Sequence, residues 1–294
     1  MFSKKFDASE YTRSDLAAEL NGDDRILSEK LSLSPVSSLT LTRQEDDGGR
    51  SYVTLEFGRI TELGAAELES LIKILKNQLS DMAQKALGKS PDSNTKILIV
   101  GLGNSQLTAD AIGPNSVLRV TATRHLKEFK SDIFLALDCC ELACITPGVL
   151  GKTGIESAET VMAAAKMIQP HLVLAVDALA ARSPQRLAST IQLSDGGIAP
   201  GSGIGNTRVA IDAPTMGCPV IAIGIPTVVD SSTLVYDALH KAGIADSDIG
   251  DGLREVLENG KSFIVSPKEA DLITEVTSRV ISDAVNRAFG VPES

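Results

Sequence analysis

A chain of 294 residues, 43% hydrophobic and 22% charged, can bury a sizeable core as one large α/β domain or two small ones. Its 38 acids against 28 Lys and Arg give a net charge of −10, with no tryptophan and 3% aromatics. That balance argues against gripping a phosphate backbone or stacking on bases, so no nucleic-acid partner is expected. Met1–Asp7 lacks the apolar run of a secretory signal and no stretch reaches transmembrane length, so an intracellular protein without membrane contact is expected.

Residues 1–30 are polar and charged and read as an exposed or loosely held arm, with a short helix at Ser14–Asn21. Val36–Thr42 and Ser51–Phe57 alternate apolar and polar around the turn-forming run Gln44–Arg50, which predicts a β-hairpin. Glu62–Leu87 carries Leu63, Ala66, Leu68, Ile72, Leu75 and Leu79 at helical spacing. Lys96–Val100 then reads as a strand buried on both faces. Gly101 and Gly103 turn the chain behind it and present Asp110 beyond the strand's carboxyl end.

Gly113-Pro114 opens a helix predicted to run to about Lys127. Ile133–Asp138 reads as a strand, Pro147–Gly154 as a glycine-rich loop and Ser157–Ile168 as a helix. His171–Asp177 is a second apolar strand ending on an acid. Ser189–Ser194 and Pro219–Ile225 are further strands, separated by a second glycine-rich loop, Asp195–Asn206. Helices are expected at Ser232–Ala242, Asp251–Glu258 and Pro267–Phe289. The alternation predicts an α/β fold, a mainly parallel sheet with helices on both faces and an amino-terminal β-hairpin annex. With no linker between Lys96 and Phe289, a single α/β domain is expected.

Several motifs fail on inspection. Gly101-Leu102-Gly103 lacks the third glycine of a dinucleotide fingerprint, because position 106 is Gln106. No phosphate-binding G-x-x-x-x-G-K-[ST] occurs. His125, His171 and His240 form no zinc-protease motif, and Cys139, Cys140, Cys144 and Cys218 fit neither a zinc spacing nor a disulfide framework. These cysteines read as reduced, mostly buried thiols. The loop 195–206 has five glycines; it could form a nest of N–H groups for an anion or oxyanion, or serve as a lid or a plain connection.

Asp110 and Asp177 are the acids that two buried strands bring to one rim, where open α/β sheets bind ligands. Two carboxylates in contact divide the work: one keeps a proton while the other activates water. Spacing alone favours two separate acids capping helices or turns. Asp138, Asp195 and Asp230 also stand at predicted strand ends.

Longer motifs point to a family. GLGN at 101–104, TADAIGP at 108–114, TPGVLGKTGIE at 146–156 and DALAARS at 177–183 resemble the germination protease of spore-forming bacteria. TIQLSDGGIAPGSGIGN at 190–206 and PVIAIGIPTVVD at 219–230 extend the match, which runs from about Ser14 to the carboxyl terminus. The resemblance implies an atypical aspartic-type endopeptidase with a fold similar to hydrogenase-maturation proteases. It also implies a self-processing zymogen and a homotetramer of the forespore or spore-core cytoplasm, using neither cofactor nor metal. Its substrates would be small acid-soluble spore proteins. The catalytic acids of the family match Asp110, inside TADAIGP, and Asp177, heading DALAARS. Ala109 and Ile112 stand where the family more usually has proline and leucine, and 141–146 diverges. Gly201, Gly203 and Gly205 are candidates for an oxyanion or substrate loop.

Two other classes stay open at this stage. One is a maturation-type protease that senses a metal centre; the other is a non-enzymatic anion-binding module built on residues 195–206.

The substrates of the family resemble acid, then apolar, alanine, any residue and glutamate, with the cut after the acid. Ser14-Asp15-Leu16-Ala17-Ala18-Glu19 has that form in the chain itself. The expectation is a pro-segment of residues 1–15, cut between Asp15 and Leu16, ahead of a peptidase domain of residues 16–294. Ser14 as the N-cap of a short helix is the plainer reading, and both can hold.

Overall fold

The computed structural model describes residues 14–19, 25–199, 209–260 and 263–291. In chain order the strands are β1 (Arg25–Ser32), β2 (Ser38–Glu45), β3 (Ser51–Glu56), β4 (Lys96–Gly101), β5 (Glu141–Ile145), β6 (Leu172–Ala181), β7 (Thr190–Ser194), β8 (Val220–Asp230) and β9 (Ile264–Val265). The helices are α1 (Ala65–Leu87), α2 (Ile112–Arg119), α3 (Arg124–Phe129), α4 (Ser131–Leu137), α5 (Leu150–Thr153), α6 (Ser157–Ile168), α7 (Ala213–Met216), α8 (Ser231–Lys241), α9 (Asp251–Gly260) and α10 (Ala270–Ala288). All the strands join one sheet in the order β1-β2-β3-β7-β8-β6-β4-β5, with β9 against β8.

The sheet is mixed, which corrects the expectation of a mainly parallel one. The pairs β4–β5, β4–β6 and β6–β8 are parallel. The pairs β1–β2, β2–β3, β3–β7, β7–β8 and β8–β9 are antiparallel. The predicted hairpin is present, Glu45 pairing with Ser51, and β3 continues the sheet through β7 rather than standing apart as an annex. Residues 25–30, read as part of an arm, lie in β1 at the sheet's edge. Ile26 and Leu27 are exposed there, so the strand carries little of the apolar alternation that marks a buried face.

One face of the sheet carries the main core. Ile97, Ile99, Leu172, Leu174, Val176, Ile221 and Ile223 meet Leu71, Leu75 and Leu79 of α1 and Ile281 and Val285 of α10. α1 begins where Gly64 N–H donates to Glu67 Oε2 at 2.9 Å and ends at Gly88 in the left-handed region. Each fully buried leucine on it contributes about 1.5–3 kcal/mol. On the opposite face α6 packs Val161, Ala165 and Ile168 on Leu98, Val100, Val173 and Ala175.

Several predicted elements differ, and β8, expected to end at Ile225, runs on to Asp230. The helix expected over 113–127 is broken into α2 and α3, because Thr123 is held by the neighbouring chain: its Oγ1 donates to Cys140 O at 2.6 Å and accepts from Leu142 N at 2.8 Å. The expected strand at Ile133–Asp138 is α4, which ends at Asp138 with φ 48°. The strand beside β4 is β5 instead. A short apolar run does not distinguish strand from helix, and here Ile133 and Leu135 are exposed while Phe134 is buried. Finally, β6 does not stop at Asp177 but continues to Ala181.

Candidate active site

The site begins with strand register. Gly101 of β4 lies beside Val176 of β6, and Leu102 N–H donates to Val176 O at 2.9 Å. The next residue, Asp177, therefore sits level with the point where the chain leaves β4. A Cβ on Gly113 would lie 2.2 Å from Leu102 O and 2.4 Å from Val176 O, so only glycine lets the start of α2 enter between the two strand ends. Gly103 has φ +113°, and a Cβ there would lie 2.1 Å from Asp110 O. The glycines of GLGN and TADAIGP thus interlock three backbone segments around the two acids.

Asp110 closes a 3-10 turn, Thr108–Asp110, that packs against β6 and β8. It is half-buried, and its Oδ2 accepts from Asn104 N at 2.8 Å. α10 steadies the turn from outside, with Thr274 Oγ1 donating to Thr108 O at 3.1 Å. Asp177 is buried, and its Oδ1 accepts from Ala178 N at 2.9 Å.

Side by side across five strands run Thr42, Thr54, Gln192, Gly224 and Asp177. Their side-chain positions therefore share one face, opposite the main core. Gln44, Tyr52 and Ser194 follow in the adjacent row of that face. Gln44, Thr54, Gln192, Ser194 and Asp177 are all buried. Buried polar side chains in a row need partners, and a peptide is one source of them.

Ser14–Glu19 docks on this face and supplies partners to Gln44 and Gln192. Asp15 N–H donates to Ala180 O and Ala180 N–H donates to Asp15 Oδ2, each at 2.9 Å. Leu16 is fully buried with Leu179, Ala181 and Val229. Ala17 N–H donates to Gln192 Oε1 at 2.7 Å, while Gln192 Nε2 donates to Asp15 O at 3.4 Å. Glu19 accepts from Arg182 N at 2.7 Å and Ser183 N at 2.9 Å, and pairs with Arg186 at 3.2 Å. The predicted short helix is a 3-10 turn, Ala17–Glu19, with Ser14 Oγ accepting from Leu16 N at 3.0 Å.

A cavity of about 290 Å³ adjoins the segment, lined by Asp15, Leu179, Gln192, Gly197, Asp212 and Gly224 among others. The glycine-rich loop enters here. An isolated antiparallel bridge joins Ile198, near its start, to Ile211 beyond it. Gly201, Gly203 and Gly205 lie outside the described residues.

The rival acids have structural work. Asp230 caps α8, accepting from Ser232 N at 2.9 Å and Thr233 N at 3.2 Å. Asp195 accepts from Ser51 N at 2.7 Å, and Asp138 ends α4. His171 Nδ1 accepts from Lys96 N at 3.0 Å. Burial pushes the Cys140 thiol up to about 12 and the Cys144 thiol to about 11, far from the thiolate a nucleophile needs. Among the described residues, no group of three or more His, Cys, Asp or Glu is placed to hold a metal ion. Sequence reasoning missed Arg186 and Gln192; the one available signal was a glutamine at an inward position of a short apolar strand.

The family model described as germination protease matches residues 11–242. The chain belongs to the germination protease family. It is a hydrolase, an endopeptidase of spore germination. The germination protease of Clostridium acetobutylicum is 33% identical, covering 94% of each chain. That of Caldanaerobacter subterraneus subsp. tengcongensis is 37% identical over 81% of this chain and 78% of its own. The germination protease of Oceanobacillus iheyensis is 41% identical over 64% of this chain and 50% of its own. The family match spans both rim acids, the docked Ser14–Glu19 segment and the glycine-rich loop.

Proposed function

We propose that this germination protease cuts its substrates with Asp110 and Asp177 as an acid/base pair. One ionised carboxylate takes a proton from the attacking water; the other, protonated, gives one to the carbonyl oxygen or the leaving amine. The observation that carries the reading is the Gly101–Val176 register, which sets Asp177 level with the loop that holds Asp110. The interlocked glycines fix that geometry in backbone, as catalysis by positioned groups demands. The parallel part of the sheet, β5-β4-β6-β8, is the part that would resemble hydrogenase-maturation proteases. Gly201, Gly203 and Gly205 would steady the oxyanion.

The substrates in this reading are small acid-soluble spore proteins, met in the cytoplasm of the forespore or spore core by a homotetramer. Residues 1–15 are a pro-segment and residues 16–294 the peptidase domain. Asp110→Asn and Asp177→Asn should each lower cleavage of such a protein by about 10³-fold or more while the thermal transition stays within a few degrees. Full activity in either variant would remove that residue from the mechanism. Inhibition by chelators would favour the metal-sensing alternative, and absence of all cleavage the anion-binding one.

A further inference from the structure

The segment Ser14–Glu19 is held by recognition rather than by general packing. An acid is gripped at the backbone of Ala180, an apolar side chain fills the Leu179–Ala181–Val229 pocket, and Gln192 reads an N–H and a carbonyl. Glu19 has the most demanding site. Two backbone amides and a guanidinium converge on its carboxylate, whose side chain is 7% exposed. Two N–H groups and an arginine form a carboxylate receptor, and charge-assisted hydrogen bonds of this kind are the strong ones. Ser183 is the N-cap of a 3-10 turn, Pro184–Arg186, and that turn carries Arg186 to the same carboxylate. Gln192 belongs to the row that ends at Asp177, so the segment is held on the sheet face that carries that acid.

We infer that Ser14–Glu19 occupies the groove in which peptide substrates bind, and that Arg186, with the amides of Arg182 and Ser183, selects a carboxylate four residues beyond the cut bond. Arg186 is a specificity-determining residue; it takes no part in proton transfer. Its second carboxylate contact, to Glu56 of β3, fixes the guanidinium from the other side. A peptide arriving from another molecule must displace the chain's own segment. The inference rests on the peptidase reading for the word substrate, but the receptor itself does not need catalysis.

The test uses the full-length protein and two fluorescent peptides, Ser-Asp-Leu-Ala-Ala-Glu and the same sequence with Gln in place of the Glu, each extended by two residues at both ends. Anisotropy measures binding, and chromatography measures cleavage. The wild-type chain should favour the Glu peptide by tenfold or more, chiefly in Kd and KM. Arg186→Gln should cut that preference severalfold, the loss falling in Kd and KM for the Glu peptide, and Arg186→Lys should restore part of it. Glu56→Gln controls for disturbance of Arg186's surroundings and should leave most of the preference. An unchanged Glu/Gln ratio in Arg186→Gln would overturn the inference even if both peptides are cut. Failure of both peptides to bind would overturn it too. Binding with the expected preference but without cleavage would uphold the receptor and count against the peptidase mechanism instead.

Discussion

Asp177 and Gln192 stand in the same row of the sheet with only Gly224 between them. Two strand spacings, about 10 Å, separate their backbones. Gly224 contributes no side chain to that interval; a Cβ there would lie 2.2 Å from Leu179 Cδ1. The side chain of Leu179 lies over Gly224, between the buried acid and the residue that grips the docked segment. Leu179 lines the cavity beside that segment and also walls the pocket of Leu16.

Gly224→Val should therefore harm function before it harms folding. The nearest atoms are the flexible end of one leucine, which can swing aside at a cost of about 1–3 kcal/mol. Swinging it aside closes the cavity and distorts the Leu16 pocket. Steady-state kinetics should show KM raised by tenfold or more, with a folded protein by circular dichroism. A variant with unchanged KM would mean that peptides do not pass over Gly224.

Gln192→Ala removes the group that holds Ala17 N–H and Asp15 O. Each lost hydrogen bond to a neutral partner is worth about 0.5–1.5 kcal/mol. The expected result is a fall in kcat/KM of about tenfold. Gln192→Glu should be worse, since it can still accept from an amide but cannot donate to a carbonyl. If Glu serves as well as Gln, the carbonyl contact is without consequence.

Much of this arrangement could be read from sequence, and the part that could not has definite causes. Asp110 and Asp177 stand out as acids behind glycine-rich turns and buried strands, but Asp138, Asp195 and Asp230 do so as well, and only the resemblance to the family singles out the pair. β6 continuing past Asp177 was hidden, because Ala178–Ala181 is equally compatible with the start of a helix. The mixed sheet was hidden by β1, whose Ile26 and Leu27 are exposed, and by the pairing of β3 with β7 across more than 130 residues. α4 reads as a strand in sequence because Ile133–Leu137 is an apolar run with no clear period. Arg186 and Glu19 meet across a long sequence separation, and no local rule announces such a pair.

The packing of α1 on the sheet sets the stability. Leu75 is fully buried in the main core, between the helix and the strands that carry the site. Leu75→Ala should cost about 2–5 kcal/mol, read as a lower urea midpoint at constant slope. Activity per folded molecule should be retained, since Leu75 lies on the face opposite Asp177. A loss below 1 kcal/mol, about a fifth of the upper figure, would mean that the helix repacks freely.

The contact between α1 and α10 should respond to acid. Arg287 donates from both terminal nitrogens to Glu69, at 2.7 and 2.9 Å, and holds that carboxyl at about 2, below the ordinary 4.5. A depressed folded value means stability that is present above 4.5 and fades as pH falls toward 2. Glu69 is 40% exposed, so solvent screening limits the contribution to about 1 kcal/mol or less. Glu69→Gln should lower the urea midpoint slightly at neutral pH, and the difference from wild type should shrink in acid. A difference that grows in acid would contradict this sign.

Self-processing at Asp15–Leu16 is the prediction that joins the docked segment to activation. Before the cut the segment is tethered on both sides, and Asp15 adds two hydrogen bonds at Ala180 to the grip on Leu16, Ala17 and Glu19. Cutting after Asp15 frees that residue with the pro-segment and leaves Leu16–Glu19 tethered on one side only. The remaining contacts then compete with peptides in solution at a disadvantage they lacked before. Activity should therefore rise as residues 1–15 leave. In the proposed mechanism one carboxyl is protonated, so processing should run faster in mild acid than at neutral pH. Amino-terminal sequencing of the processed chain should begin Leu-Ala-Ala-Glu, and Asp177→Asn should remain full length. A mature chain that starts elsewhere, or processing that persists in Asp177→Asn, would refute self-cleavage at this bond. Glu19→Gln supplies the complementary test: by loosening the segment it should slow the cut in its own chain while easing cleavage of an added peptide by chains already processed.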